Sequence, residues 1–234
     1  MDRISRKELK SDRFQERVGS TVEYLDEHRR QVILIGGIAL AVLLVGWGAY
    51  WYSGKQKIVR QQALTQALDI QNSAVGPPSG NPLVKTFPTA EARREEATKA
   101  FQQIINDHSG SEEATIARYY LGVIAAEAGK EADAAKHFQE VADAGRNPYS
   151  SLAQFALAQL YQGQGKTAEA EKLLRALIDR PSMLVSKEQA TIALAKVIAP
   201  KNPAEARKLL EPLRTERSAV SRMALTALSD IPAQ

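Results

Sequence analysis

Two patterns of hydrophobic residues divide the chain. Residues 32–52 read VILIGGIALAVLLVGWGAYWY, which is 21 residues without a charge and apolar on every helical face. As a helix rising about 1.5 Å per residue, this stretch extends about 31 Å and matches the hydrocarbon core of a bilayer. From residue 90 onwards, apolar residues recur at helical spacing with charges between them. The first pattern predicts a membrane-spanning helix, and the second predicts a run of short amphipathic helices.

The uncharged stretch has the flanks of an uncleaved membrane anchor. Trp47, Tyr50 and Trp51 cluster near its C-terminal end, where amphipathic rings favour the membrane–water interface. A cleaved signal peptide has an apolar region of about 7–15 residues followed by a site of small residues. Here the apolar run is longer, 31 residues precede it, and bulky aromatics lie where cleavage would occur. We therefore expect residues 32–52 to contact membrane lipid.

Basic residues on the two sides of this stretch predict its orientation. Residues 11–30 carry four basic side chains and residues 53–72 carry three. The excess is small, but a long C-terminal part is translocated largely regardless of its charge. We expect the N-terminus in the cytoplasm and the C-terminal part on the other side of the membrane.

Residues 1–31 form a tail with an amphipathic pattern. Phe14, Val18, Val22 and Leu25 recur at helical spacing with charges between them. Such a helix binds a membrane surface or a partner helix, or it is solvated and extends the membrane helix. The sequence leaves these alternatives open.

Residues 53–89 are predicted to be a membrane-proximal helix followed by a loop. Helical spacing runs through residues 58–75, and residues 76–89 (GPPSGNPLVKTFPT) are rich in proline and glycine. The loop does not match a phosphate-binding loop, because Val84 precedes Lys85 where that motif needs glycine. We expect an exposed connector.

Residues 90–234 contain a repeat with a period of 36 residues. Each unit has a turn, then a small residue, then two apolar residues, which is typical of two closely packed helices. The aligned positions are Gly129, Gly165 and Lys201 for the turn, Ala134, Ala170 and Ala206 for the small residue, Phe138, Leu174 and Leu210 for the first apolar residue, and Val141, Leu177 and Leu213 for the second. An earlier half-unit is visible in Ala97, Phe101 and Ile104. One helical pair cannot bury its own apolar face, so we expect the pairs to stack into a solenoid.

These residues resemble the tetratricopeptide repeat. The resemblance is carried by Leu121, Gly122, Gly129, Ala134, Phe138 and Pro148 in one unit, and by Leu157, Ala158, Tyr161, Gly165, Ala170, Leu174 and Pro181 in the next. In the third unit Lys201 replaces the turn glycine and Pro212 lies inside the second helix, so we expect this unit to be distorted or to act as a cap. Residues 218–230 are predicted to form a closing helix. Together with the membrane-spanning helix predicted at residues 32–52, the resemblance implies an all-α chain in which one transmembrane helix precedes a solenoid of about three to four helical pairs.

The layout of the chain also resembles a family of bacterial membrane proteins. A short cytoplasmic tail, one anchor and an alanine-rich repeat domain resemble the ancillary subunit of the Sec translocon, and a related domain occurs in the periplasmic coordinator of cell division. This implies a single-pass protein of the bacterial inner membrane whose periplasmic domain binds the translocon, chaperones or exported clients. The alternative is a structural or cell-division assembly factor that oligomerises through its membrane helix, where Gly36, Gly37, Gly46 and Gly48 permit close approach.

The amino-acid composition excludes most kinds of catalytic and metal-binding site. The chain has no cysteine and three histidines, which excludes thiol nucleophiles and thiolate metal sites. His28, His108 and His137 lie far apart, and we expect His137 and acidic pairs such as Glu112 and Glu113 on solvated helix faces. We therefore expect no enzyme activity, no catalytic residue, no cofactor and no metal. The net charge of +4 is spread without blocks, so nucleic acid is not an expected partner.

The candidate site is a protein-binding surface. In tetratricopeptide domains the first helix of each unit lines a concave surface, and the resemblance places Tyr119, Val123, Phe155, Gln159 and Gln162 at positions that line it. Tyr119 and Phe155 are equally compatible with a place in the core. The basic and asparagine residues that clamp a peptide carboxylate in some of these domains are absent at these positions, so recognition of a free C-terminus is not favoured.

Overall fold

The computed structural model describes residues 29–77, 85–145, 148–215 and 219–231. Most of the tail predicted in residues 1–31, together with His28, lies outside these ranges, as does the middle of the predicted connector. The described elements are, in chain order, α1 (Arg29–Gln71), β1 (Ala74–Val75), β2 (Thr86–Phe87), α2 (Ala90–Asp107), α3 (Glu112–Glu127), α4 (Glu131–Asp143), α5 (Pro148–Gly163), α6 (Thr167–Asp179), α7 (Lys187–Ile198), α8 (Pro203–Leu210), a 3₁₀ helix (Glu211–Thr215) and α9 (Ala219–Ser229). The predicted all-α class is confirmed, with two two-residue strands as the exception in the described part.

Helix α1 joins two segments that the sequence pattern separates. It runs without a break over 43 residues, from the uncharged stretch into the predicted membrane-proximal helix. It ends at Gln71, where the amide of Asn72 donates to the carbonyl of Leu68. The predicted extension to residue 75 is wrong, because Ala74 and Val75 instead pair in parallel with Thr86 and Phe87.

The chain forms two compact units, the first ending at Ile58 and the second beginning at Val59. In the first unit the apolar side chains of α1 are exposed, for example Leu43 at 69% and Val45 at 72%. Within residues 29–77, 85–145, 148–215 and 219–231, no helix is long and apolar enough to cross a membrane. The structure therefore does not support the membrane-spanning helix predicted at residues 32–52.

In the second unit, helices that follow one another in the chain pack against one another from α2 to α8. The first helices of neighbouring pairs also make contact, α3 with α5 and α5 with α7. This arrangement is the predicted solenoid, with pairs α3/α4, α5/α6 and α7/α8. Its core passes through all three pairs, because the buried apolar clusters include residues from each of them.

The repeated residues form the helix contacts and the turns of the helical pairs as predicted. Ala134, Ala170 and Ala206 are completely buried, which brings the helices close together. The turn glycines Gly129 and Gly165 have positive φ angles of 71° and 72°, a conformation that costs other residues about 1–2 kcal/mol.

The third pair departs from the pattern where Lys201 and Pro212 predict a distortion. This pair has no turn glycine, and Asn202 caps the start of α8. Its Oδ1 accepts a hydrogen bond from the amide of Glu205 at 3.1 Å. The helix stops at Leu210, and Pro212 lies in the following 3₁₀ helix. Helix α9 then closes the solenoid, and Arg207 Nη2 donates to the carbonyl of Ile231 at 2.9 Å.

The earlier half-unit is helix α2, and its missing partner is the C-terminal part of α1. Ala97, Phe101 and Ile104 are buried together with Ala67 of α1. An ion pair ties the same part of α1 to α3, with 3.1 Å between Arg60 Nε and Glu113 Oε2. A fourth helical pair therefore precedes the three that the alignment predicts, which agrees with the expected three to four.

Candidate protein-binding surface

The five predicted binding residues all lie on the adjacent first helices α3 and α5. Tyr119 and Val123 are four residues apart on α3, and Phe155, Gln159 and Gln162 are spaced by four and three residues on α5, so each group shares one face of its helix. The two glutamines are exposed, and the other three side chains are half-buried.

Tyr119 lies at the centre of an aromatic cluster. Its ring centroid is 5.5 Å from that of Tyr120, 5.5 Å from that of Tyr149 and 5.6 Å from that of Phe138. These are edge and tilted contacts, which aromatic rings favour because of their quadrupoles. Burial raises the pKa of Tyr119 to about 12, because the phenolate would lose hydration there. Tyr119 therefore joins α3, α4 and α5 while keeping a part of its surface accessible.

Val123 and Phe155 also lie at the border between core and solvent. Val123 packs against the cluster that contains Phe138 and Leu157, and Phe155 packs against the core of the last two pairs. Gln159 and Gln162 are different, since no hydrogen bond or ion pair involves either side chain within the described residues. Their carboxamides are available to a partner.

The sequence pattern does not predict a groove that lies where neighbouring helical pairs of the solenoid meet. It has a volume of about 670 Å³ and is lined by Pro148, Ser151, Gln154, Arg180 and Met183, among others. A turn orders its rim, because the hydroxyl of Ser182 accepts from the amides of Leu184 and Val185 at 3.2 and 3.0 Å. Met183 on this turn is 96% exposed. Helical periodicity does not predict this groove, since residues at the start of α5 and residues of the connection after α6 line it together.

Two side chains that the sequence assigns to solvated faces lie elsewhere. Glu113 is only 7% exposed and pairs with Arg60, because the first turn of α3 faces the C-terminal part of α1. His137 is half-buried, and burial lowers its pKa since the protonated ring would lose hydration. Among the described residues, no group of three or more histidines and carboxylates could hold a metal ion.

The comparisons with known proteins agree with this geometry. A model of the tetratricopeptide repeat-like domain matches residues 26–181, which is two thirds of the chain. The chain belongs to the tetratricopeptide repeat-like domain family. Repeats of this family generally act as scaffolds that bind proteins, so the predicted tetratricopeptide resemblance and the protein-binding class are confirmed at this level. The comparisons indicate no catalytic family.

Solved structures show the same fold. Two crystal structures of nearly identical TPR-like repeats, from a candidate kinesin light chain of Podosopora anserina, match this tetratricopeptide repeat-like chain with a TM-score of 0.53 each. They are 16% and 17% identical to it, and each match covers 72% of this chain and 82% or 83% of the other. At this identity the likeness concerns the fold alone. A search of curated proteins found no match.

Proposed function

We propose that this chain is a scaffold that binds other proteins through α3 and α5 and is held at a bilayer by residues 32–52. We place it in the bacterial inner membrane, with its N-terminus in the cytoplasm and its repeat domain in the periplasm. Its work there is in protein export or envelope quality control, with the translocon, chaperones or exported clients as partners.

The observation that carries the binding function is the accessible face of the first helices. Gln159 and Gln162 are exposed next to the half-buried Phe155, on a helix that is anchored by the fully buried Leu157 and Ala158. A rigid backbone with polar groups beside an aromatic ring is a typical recognition surface, because little ordering entropy is lost on binding.

The exposed apolar side chains of α1 support attachment to a membrane. Soluble proteins rarely expose a contiguous apolar patch larger than a few hundred Å². Here large apolar side chains are exposed from Ile33 to Trp51, and Lys55 Nζ lies 3.8 Å from the ring centroid of Trp51. An aromatic ring next to a lysine is typical of the membrane–water interface. Lipid would cover this segment on every side.

The cellular role rests on the order of the segments. A short tail, an uncharged segment and an alanine-rich repeat domain follow one another as in the ancillary subunit of the Sec translocon. Attachment to the membrane would raise the effective concentration of the repeat domain near partners in the same membrane.

Site-specific cross-linking in cells tests the binding function. A photo-reactive residue replaces Gln159 or Gln162, and a matched control replaces the exposed Gln103 on α2. We expect adducts with other proteins from the two α5 positions and few from the control. Adducts only between copies of this chain would contradict the proposal.

The absence of cysteine allows a direct test of orientation. Lys130→Cys places a single thiol in the exposed turn before α4, and Ser11→Cys places one in the tail. We expect a membrane-impermeant maleimide to label the first variant in cells with a permeabilised outer membrane, and the second only after the inner membrane is opened. The reverse pattern would contradict the orientation.

A further inference from the structure

Both tryptophans of the chain and one lysine share a face of α1. Trp47, Trp51 and Lys55 are spaced by four residues, which places them one above another along the helix. Trp47 is 71% exposed and Trp51 is 62% exposed, and Lys55 Nζ lies 3.8 Å from the ring centroid of Trp51. We name these three residues the tryptophan–lysine stripe. Since the chain contains two tryptophans, all of its indole rings lie on this stripe.

The positive charge at this end of the apolar stretch has no negative partner among the described residues. Lys55 and Lys57 are exposed, and neither forms an ion pair with a carboxylate in the part of the chain that the structure describes. Residues 28–68 contain no aspartate or glutamate. Arg60 differs from these lysines, because it pairs with Glu113. The two ammonium groups are therefore available to an anion that another molecule supplies.

Neither helix formation nor orientation accounts for these two lysines. Gln56, Gln61 and Gln62 lie in the same part of α1, and glutamine has nearly the same helix propensity as lysine. In the proposed orientation this part of α1 lies outside the cytoplasm, where flanking lysine and arginine residues are less common. Neutral residues at positions 55 and 57 would therefore suit the helix equally well and its orientation better.

We infer that the tryptophan–lysine stripe, together with Lys57, binds the headgroups of anionic phospholipids such as phosphatidylglycerol. This inference rests on the proposed attachment of residues 32–52 to a bilayer, and it names the class of lipid at one end of that segment. A lysine near a membrane surface attracts anionic lipid, whereas a zwitterionic headgroup carries its own cation. The anionic headgroup supplies the negative charge that Lys55 and Lys57 lack within the described residues.

The order of groups along the stripe matches the order of groups in a phospholipid. Four residues of helix correspond to about 6 Å, so Trp47, Trp51 and Lys55 lie at three successive levels along α1. The ammonium group of Lys55 can donate to phosphate oxygens, and the indole N–H of Trp51 can donate to the ester carbonyls next to them. The ring of Trp47 then contacts the first part of the acyl chains.

The positions of the two lysines favour lipid over a protein partner. Lys55 and Lys57 are two residues apart, which places them on nearly opposite sides of α1. The apolar side chains from Ile33 to Trp51 are likewise exposed around the helix. A protein segment would cover one side of α1 and leave one lysine without an anion. Lipid surrounds the helix, so both lysines can contact a headgroup.

Quenching of tryptophan fluorescence by brominated lipid tests the inference on the full chain in nanodiscs. All nanodiscs hold the same mixture of phosphatidylcholine and phosphatidylglycerol, with bromine on the acyl chains of one lipid or of the other. Because both tryptophans lie on the stripe, their quenching reports which lipid lies next to it. We expect the relative association constant to favour phosphatidylglycerol about fivefold, and we expect high salt to reduce this preference because it screens the charges.

Substitution of the two lysines tests whether they cause the preference. Lys55→Gln with Lys57→Gln should remove it, while both brominated lipids still quench the tryptophans. Lys55→Arg with Lys57→Arg keeps the charges and should retain the preference. The matched control is Lys196→Gln with Lys208→Gln, which removes two exposed lysines of the solenoid and should also retain it. Circular dichroism checks that each variant keeps its helices.

The outcomes separate this inference from the proposed attachment to a membrane. Equal quenching by the two brominated lipids, or a preference that persists in Lys55→Gln with Lys57→Gln, would overturn the inference and leave the attachment in place. A preference that is lost in the arginine variant or in the control would also overturn the inference. If neither brominated lipid quenches the tryptophans, lipid does not cover the stripe, and both the inference and the attachment are overturned.

Discussion

The exposed stretch of α1 and the solenoid core use the same apolar residue types in opposite ways. Leu34, Leu43 and Val45 in α1 are exposed, whereas Leu157 and Leu174 in the solenoid are buried. The amount of apolar surface in each region does not explain this difference in exposure. Helix α6 of the solenoid, for example, confines its apolar residues to one side and places charges on the other, but the stretch of α1 is apolar all round.

The difference shows what each segment needs around it. A helix with one apolar side is satisfied by a neighbouring helix, and stacked pairs supply that neighbour. A helix that is apolar all round needs an apolar environment on every side. Substitutions that add charge to the stretch of α1, or that change the buried volume of the solenoid, test this comparison. We expect the largest change in free energy in α1.

Two charges in the apolar stretch test its attachment to lipid. Leu40→Arg with Leu43→Arg should cost about 5–7 kcal/mol of membrane insertion, because an arginine near the centre of a membrane helix costs about 2.5–3.5 kcal/mol. We expect the variant to leave the membrane pellet on carbonate extraction. Leu40→Ala with Leu43→Ala is the control and should stay in the pellet. A doubly arginine-substituted chain that also stays there would show that this stretch is not the attachment.

Truncation of a buried ring has the next largest effect. Phe101 is fully buried between α2 and its neighbours and stacks on Tyr120 with a centroid distance of 5.3 Å. Phe101→Ala should reduce the free energy of unfolding by about 3–5 kcal/mol, because it leaves a cavity. Leu43→Ala removes an exposed side chain and should change it by less than about 0.5 kcal/mol. Urea denaturation in detergent measures both, and similar losses would remove the distinction between the two regions.

Gly122 tests how closely the helices of one pair approach. A Cβ atom built on Gly122 would lie 2.7 Å from Cε1 of Phe138, which is too close for carbon atoms. Gly122→Ala should therefore reduce the free energy of unfolding by about 1–3 kcal/mol through overpacking. The next unit has Ala158 and Leu174 at the corresponding positions. Adding Phe138→Leu should therefore restore most of the lost stability, and failure to do so would mean that the repeat positions are not equivalent.

The smallest effect concerns the proton of Tyr119. Its pKa is about 12 in the folded chain and near 10 when unfolded, so the folded state holds this proton more tightly. The associated stability is present below pH 10 and is lost as the pH rises towards 12. We expect a loss of about 1 kcal/mol, after allowance for screening by solvent at the accessible edge.

Tyr119→Phe provides the measurement. Ultraviolet titration of the folded chain should lose its latest-ionising tyrosine, and the decline of stability above pH 10 should become shallower. A Phe variant with an unchanged titration curve would mean that another tyrosine ionises last.

The sequence predicted the local parts of the fold well. Gly129 and Gly165 marked the turns and Ala134 and Ala170 marked the close contacts, because these roles depend on a single residue type. The same alignment predicted the break near Pro212. These features are set by backbone conformation and side-chain size within one unit.

Features that depend on distant residues were not predictable. The pairing of Ala74 with Thr86 involves only two residues on each strand, so it leaves no alternating pattern. Glu113 looked like an ordinary first-turn carboxylate, and its burial follows from Arg60, which lies 53 residues earlier. The five predicted binding residues could be placed from the repeat register, but the half-buried state of Tyr119, Val123 and Phe155 could not.

The stacking of the solenoid also sets the order in which its parts can open. Each pair contacts only its neighbours in the stack, so the ends can fray while the middle remains folded. Helix α5 has two helical pairs before it and one pair with a closing helix after it. Its amides should therefore exchange with solvent among the slowest in the chain. The predicted binding residues on α5 then keep their arrangement even while a terminal pair is transiently unfolded.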